Sequence, residues 1–115
     1  MSDPDDMGEH MLLNDYVRYA NDTARSKGFH DDAPDPLFGD ARHTLSLLML
    51  ITTEVAEAAE AVRKNDFENF KEELADVCIR VFDLAGQCNI DLEGAVYAKM
   101  LRNARRPLRH GGKRA

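Results

Sequence analysis

LMLITTEVAEAAEAVRKNDFENFKEELADVCIRVFDLAG, residues 48–86, is the stretch whose reading decides the fold. Its apolar residues recur every three to four positions on both sides of one break, Asn65-Asp66. That period is helical, and nothing in the stretch alternates as a half-buried strand does. Asn65 suits the left-handed conformation that ends a helix, and Asp66 suits the N-cap that begins the next. The spacing predicts helices over 41–64 and 67–88, joined by a tight turn and hence antiparallel. Asp40 is the predicted cap of the first of them.

The flanks extend the same pattern. Leu13, Val17, Ala20 and Ala24 place a helix over 10–27, with Gly28 as its C-cap. Residues 28–40, GFHDDAPDPLFGD, carry too many prolines, glycines and aspartates for a helix. Asn89 closes the third helix, Asp91 caps a fourth over 92–105, and Pro107 stops it. The expectation is an all-α chain: a disordered leader at 1–9, a four-helix domain at 10–106 and a basic, flexible tail at 107–115. LSLLMLI, residues 45–51, is apolar almost all the way round its helix. One small domain cannot cover such a helix on every side, so a homo-oligomer is expected.

Composition narrows the class. The chain has 115 residues, 43% hydrophobic and 31% charged, a globular balance within a single domain's length. No apolar run is long enough for a transmembrane helix, and the acidic, polar N-terminal region does not resemble a signal peptide. Cys78 and Cys88 sit ten residues apart on one predicted helix. That is about 15 Å of rise, too far for a disulfide, so both are expected in the core and the chain in a reducing compartment, the cytoplasm. Charge is split: residues 1–98 hold 21 acids and 8 Lys/Arg, and residues 99–115 hold 7 Lys/Arg and no acid. A nucleic-acid binder is more often basic throughout, which makes that class a poor fit. A divalent cation combined with a phosphate ester would satisfy both signs.

The acids are arranged. Glu54 and Glu57 share a face of the second helix, and Glu73 and Asp76 share a face of the third. Antiparallel pairing about residues 65–66 sets Glu57 opposite Glu73 and Glu54 opposite Asp76. Four carboxylates at one level raise one another's pKa or hold a cation. Oxygen ligands without His or Cys suit Mg²⁺ or Mn²⁺ rather than zinc. A solvated acidic face is the competing reading; it is preferred for Glu60 and Glu72, and spacing alone leaves it open for the other four. On the fourth helix Lys99, Asn103 and Arg106 fall on one face. They read as a phosphate clamp or, more simply, as cations complementing a helix C-terminus. The tail, RPLRHGGKR at 106–114, can close over phosphates or fray. His30 and His43 are expected at the surface. Phe29 and Phe38 suit either base stacking or loop anchoring.

These residues together resemble a known family. Glu54-x-x-Glu57, a spacer and Glu73-x-x-Asp76, followed by NIDLEGAVYAKMLRNARRPLRHGGKR at 89–114, look like the MazG-like all-α nucleoside triphosphate pyrophosphohydrolases. KGF at 27–29 is similar more loosely, so the resemblance spans 27–114. It departs from the family at Thr53, where many members have a second Glu, and at His110-Gly-Gly-Lys113, where His-Gly-Lys is usual. The resemblance implies a four-helix MazG-like bundle completed by oligomerisation, as a homodimer or homotetramer with sites between subunits. It implies Mg²⁺, with Mn²⁺ as a substitute, held by Glu54, Glu57, Glu73 and Asp76, the residues that also carry catalysis. Lys99, Asn103 and Arg106 would bind a nucleoside triphosphate, split to the monophosphate and pyrophosphate as house-cleaning of non-canonical or excess nucleotides. The alternative is a non-catalytic helical protein that binds nucleotide or regulates a partner.

Overall fold

The computed structural model describes residues 11–33 and 37–107. Four helices form: α1 Leu13–Ser26, α2 Ala41–Arg63, α3 Phe67–Gln87 and α4 Leu92–Arg105, with one 3-10 turn at Leu37–Gly39 in the first connection. There is no strand among the described residues. The expected leader, and the tail beyond Pro107, lie outside them. No described helix is long and apolar enough to cross a membrane.

The helix starts follow the aspartates. Asp40 accepts a hydrogen bond from the His43 N–H at 3.1 Å, Asp66 from Asn69 at 3.0 Å and Asp91 from Gly94 at 3.0 Å. Each carboxylate satisfies an N–H that the first turn leaves without an intrahelical partner. α1 begins three residues later than its periodicity predicts, because the Asp15 carboxylate accepts the Leu12 N–H at 2.8 Å and fixes the first turn there. That bond, with Arg18 alongside, holds the Asp15 carboxyl below its ordinary value. Asn65 and Asn89 end α2 and α3 at φ of 55° and 57°. Beyond them Asp66 donates its N–H to Ala61 and Ile90 donates to Ala85, closing the carbonyls each helix leaves free.

α3 is the central helix, packed by α2 on one side and α1 on the other, while α4 makes its main helix contact with α1. Asn14 fastens that last pair: its amide donates to Asp91 at 2.8 Å, and its carbonyl oxygen accepts the Glu93 N–H at 3.0 Å. The contact surfaces are small. Among the described residues the fully buried apolar side chains are Val17, Ala24, Ala58, Ala61 and Ala85. Alanine lets α2 and α3 approach closely, but it removes little apolar area from water.

Many of the larger apolar side chains point outward. Leu45, Leu48, Met49 and Leu50 of α2, Leu74 and Ile79 of α3, and Met100 and Leu101 of α4 are all exposed. Cys78, expected in the core, is exposed too, and Cys88 is only half-buried. The correction has a physical cause: Cys78 stands on a face of α3 that neither α1 nor α2 covers, so its hydrophobic neighbours Leu74 and Ile79 are exposed with it.

Candidate functional site

Glu54 and Glu57 lie on α2 and Glu73 on α3, and the turn at Asn65-Asp66 folds the two helices together. Carboxylate oxygens from Glu54, Glu57 and Glu73 come within 4.8 Å of one another. Buried Ala58 and Ala61, one and four residues after Glu57, permit the approach. Glu57 is exposed, whereas Glu54 and Glu73 are half-buried, so the cluster opens to solvent on one side.

The electrostatics follow from that geometry. Glu73 Oε2 is buried and has no hydrogen-bond partner. The Glu73 carboxyl is held above its ordinary value, first by desolvation and then by the facing Glu57 carboxylate, with Asp76 and Glu54 adding repulsion. Without a cation, protonation of Glu73 relieves that repulsion. An unpartnered buried oxygen and two further carboxylates at this separation are what a hard divalent cation needs from a protein. Asp76 is exposed and outside the group of three; it stands one turn beyond Glu73, close enough to act on it electrostatically.

Opposite Glu54 the structure places Arg80. Its Nε donates to Glu54 Oε1 at 2.8 Å, and the two side chains are 42% and 12% exposed. Sequence reasoning missed this residue. The signal was there: Arg80 is seven residues after Glu73 and four after Asp76, on the same face of α3. Glu60 pairs with Arg63 at 3.0 Å on the outer surface, and Glu72 is exposed. Thr53 donates its hydroxyl back to the Met49 carbonyl.

Lys99, Asn103 and Arg106 are exposed on and just after α4, along a helix whose main contact is with α1. Within one chain the structure therefore brings three of the predicted carboxylates together and leaves the α4 side chains on a different helix pair. Phe29 and Phe38 are exposed, 68% and 74%.

A second polar group lies at the α1–α3 contact. His30, expected at the surface, is buried, its side chain 3% exposed. Its Nε2 is 2.9 Å from both oxygens of Asp83, which also accepts from the Asn21 amide at 2.9 Å. Gln87 Oε1 accepts from Asn21 and from Arg25 Nε, each at 3.0 Å. A carboxylate on α3 thus pulls the histidine in from the loop, which no local pattern around His30 announces. The open recess beside it, ≈ 290 Å³, is lined by Arg25, His30, Asp31, Ala33 and Gln87 and includes none of the clustered carboxylates.

No curated protein and no solved structure matches the chain. A family model does: the MazG nucleotide pyrophosphohydrolase domain matches residues 42–109, more than half of the chain. The match takes in both acidic motifs and the α4 segment with Lys99, Asn103 and Arg106, and it agrees with the all-helical architecture. The chain belongs to the MazG nucleotide pyrophosphohydrolase family.

Proposed function

We propose that the protein is a Mg²⁺-dependent nucleoside triphosphate pyrophosphohydrolase that yields a nucleoside monophosphate and pyrophosphate. The observation that carries this reading is the convergence of Glu54, Glu57 and Glu73 within 4.8 Å, with a buried, unpartnered oxygen on Glu73, in a chain of this family. Glu54, Glu57 and Glu73 would hold the cation and Asp76 would complete the set from the next turn of α3. When bound, Mg²⁺ or Mn²⁺ supplies phosphoryl polarisation, charge neutralisation and an acidified water for attack between the α- and β-phosphates.

The chain's own groups account for the rest. A bound cation would offset the repulsion from Glu57, Asp76 and Glu54 that, together with desolvation, holds the Glu73 carboxyl above its ordinary value. Lys99 and Arg106 neutralise phosphate oxygens, and Asn103 supplies a directed hydrogen bond. α4 makes its main contact with α1, and a second copy in a homodimer or homotetramer would bring these groups to the carboxylates. The uncovered apolar side chains of α2 and α3 support such an assembly. Two free cysteines are in keeping with a cytoplasmic setting, and clearing non-canonical or excess nucleotides is the role this chemistry suits.

Glu57→Gln and Asp76→Asn test the assignment. Each variant is expected to stay helical by circular dichroism and to lose turnover by on the order of a hundredfold or more, as removal of a charge aligned with the transition state does. Full activity in either would remove that residue from the site.

A further inference from the structure

Arg80 is tied directly to the carboxylate cluster. Its Nε bonds Glu54 Oε1 at 2.8 Å, and Glu54 is one of the three residues whose oxygens converge. A guanidinium offers five N–H donors, and only the Nε bond to Glu54 is made among the described residues, so the Nη edge is free. The side chain is 42% exposed and thus has room to turn. It stands on the same face of α3 as Glu73 and Asp76.

We propose that Arg80 has two alternative partners: Glu54 in the metal-free protein and the phosphates of the substrate once Glu54 is committed to a cation. The inference rests on the carboxylate cluster being the cation and triphosphate site. Arg80 competes with a cation for the same Glu54 oxygen, and its own charge disfavours a second cation nearby. Released, the guanidinium is the group best matched to phosphate oxygens, because its planar fork can donate two parallel bonds. It therefore keeps the cluster partly neutralised when empty and turns that charge onto the substrate when loaded.

The consequence is a pair of effects of opposite sign, which a purely structural α2–α3 ion pair does not produce. Arg80→Gln should tighten Mn²⁺ binding in the absence of nucleotide, roughly 3- to 10-fold, the scale of a half-exposed charge-assisted pair. In saturating Mn²⁺ the same variant should bind a non-hydrolysable α,β-methylene nucleoside triphosphate about tenfold or more weakly. Arg80→Lys keeps the charge and loses the fork, so it should leave Mn²⁺ affinity near that of the parent and still weaken the analogue. Mn²⁺ affinity is read by electron paramagnetic resonance and analogue affinity by calorimetry on the full chain. Mn²⁺ affinity unchanged or weakened in Arg80→Gln, or analogue affinity unchanged in both variants, overturns the proposal. Glu57→Gln is the control: loss of Mn²⁺ binding there with no opposite-signed effect at Arg80 refutes the exchange alone, whereas Mn²⁺ binding unaltered in Glu57→Gln refutes the site itself.

Discussion

Gly86→Ala tests the packing that orients α3. In an ordinary helix interior this substitution is favourable by about 1 kcal/mol, because alanine loses less backbone entropy than glycine. Here the added Cβ would sit 2.6 Å from Asn21 Cβ and 3.0 Å from Asn21 Cγ. Carbon atoms pack at about 3.5–4.0 Å, so α1 must move out by about 1 Å. The obstacle is a Cβ fixed to the helix backbone, not the end of a flexible side chain. A shift of that size takes the Asn21 amide from 2.9 Å and 3.0 Å off Asp83 and Gln87 to beyond hydrogen-bond range. Overpacking costs about 1–3 kcal/mol and two lost hydrogen bonds about 1 kcal/mol each. After the propensity gain the net loss is about 2–4 kcal/mol, a large part of a typical domain's stability. Urea unfolding followed by circular dichroism, at one fixed protein concentration because any self-association would couple to stability, measures it. Gly39→Ala, with nothing within 4 Å of the new Cβ, is the control and should change little. Equal or greater stability in Gly86→Ala would refute the close α1–α3 approach.

Two further predictions concern the polar contacts. Asp83→Asn removes the charge that His30 and Asn21 share and should cost about 1.5–3 kcal/mol, the range for hydrogen bonds to a charged group; an unchanged thermal midpoint would contradict the network. Asp91 is held below its ordinary value by the Asn14 amide and then by the Gly94 N–H. Its carboxylate is therefore favoured by folding: the contribution is complete above the ordinary aspartate range and is lost as pH falls through the lowered value. Asp91→Asn should flatten the acid side of the stability profile relative to the parent, and parallel profiles would show that the Asn14–Asp91 tie does not contribute.

Much of this was written locally. The three Asp caps, the Asn65 turn and the extents of α2, α3 and α4 follow from short-range rules, since caps and left-handed asparagines act within a turn of themselves. The Glu57–Glu73 juxtaposition follows too, because a tight turn between two helices fixes their register. What was not legible depends on distant partners. His30 is buried by Asp83, fifty-three residues away; the place of Arg80 on the acidic face of α3 was legible, but not its bond to Glu54, one turn from the residue that register sets opposite. The cysteines were misplaced for a related reason: α3 is amphipathic toward two neighbours, and the face bearing Cys78 has none among the described residues.

The most direct measurement of the central claim is product analysis by phosphorus NMR. The full chain is given a panel of canonical and modified nucleoside triphosphates with Mg²⁺, with Mn²⁺ and with chelator. The account predicts monophosphate and pyrophosphate in equal amounts, dependent on the cation and abolished by the chelator. Diphosphate with orthophosphate, or turnover that survives the chelator, would contradict the mechanism. No turnover by folded, metal-loaded protein would leave the nucleotide-binding or regulatory reading in its place.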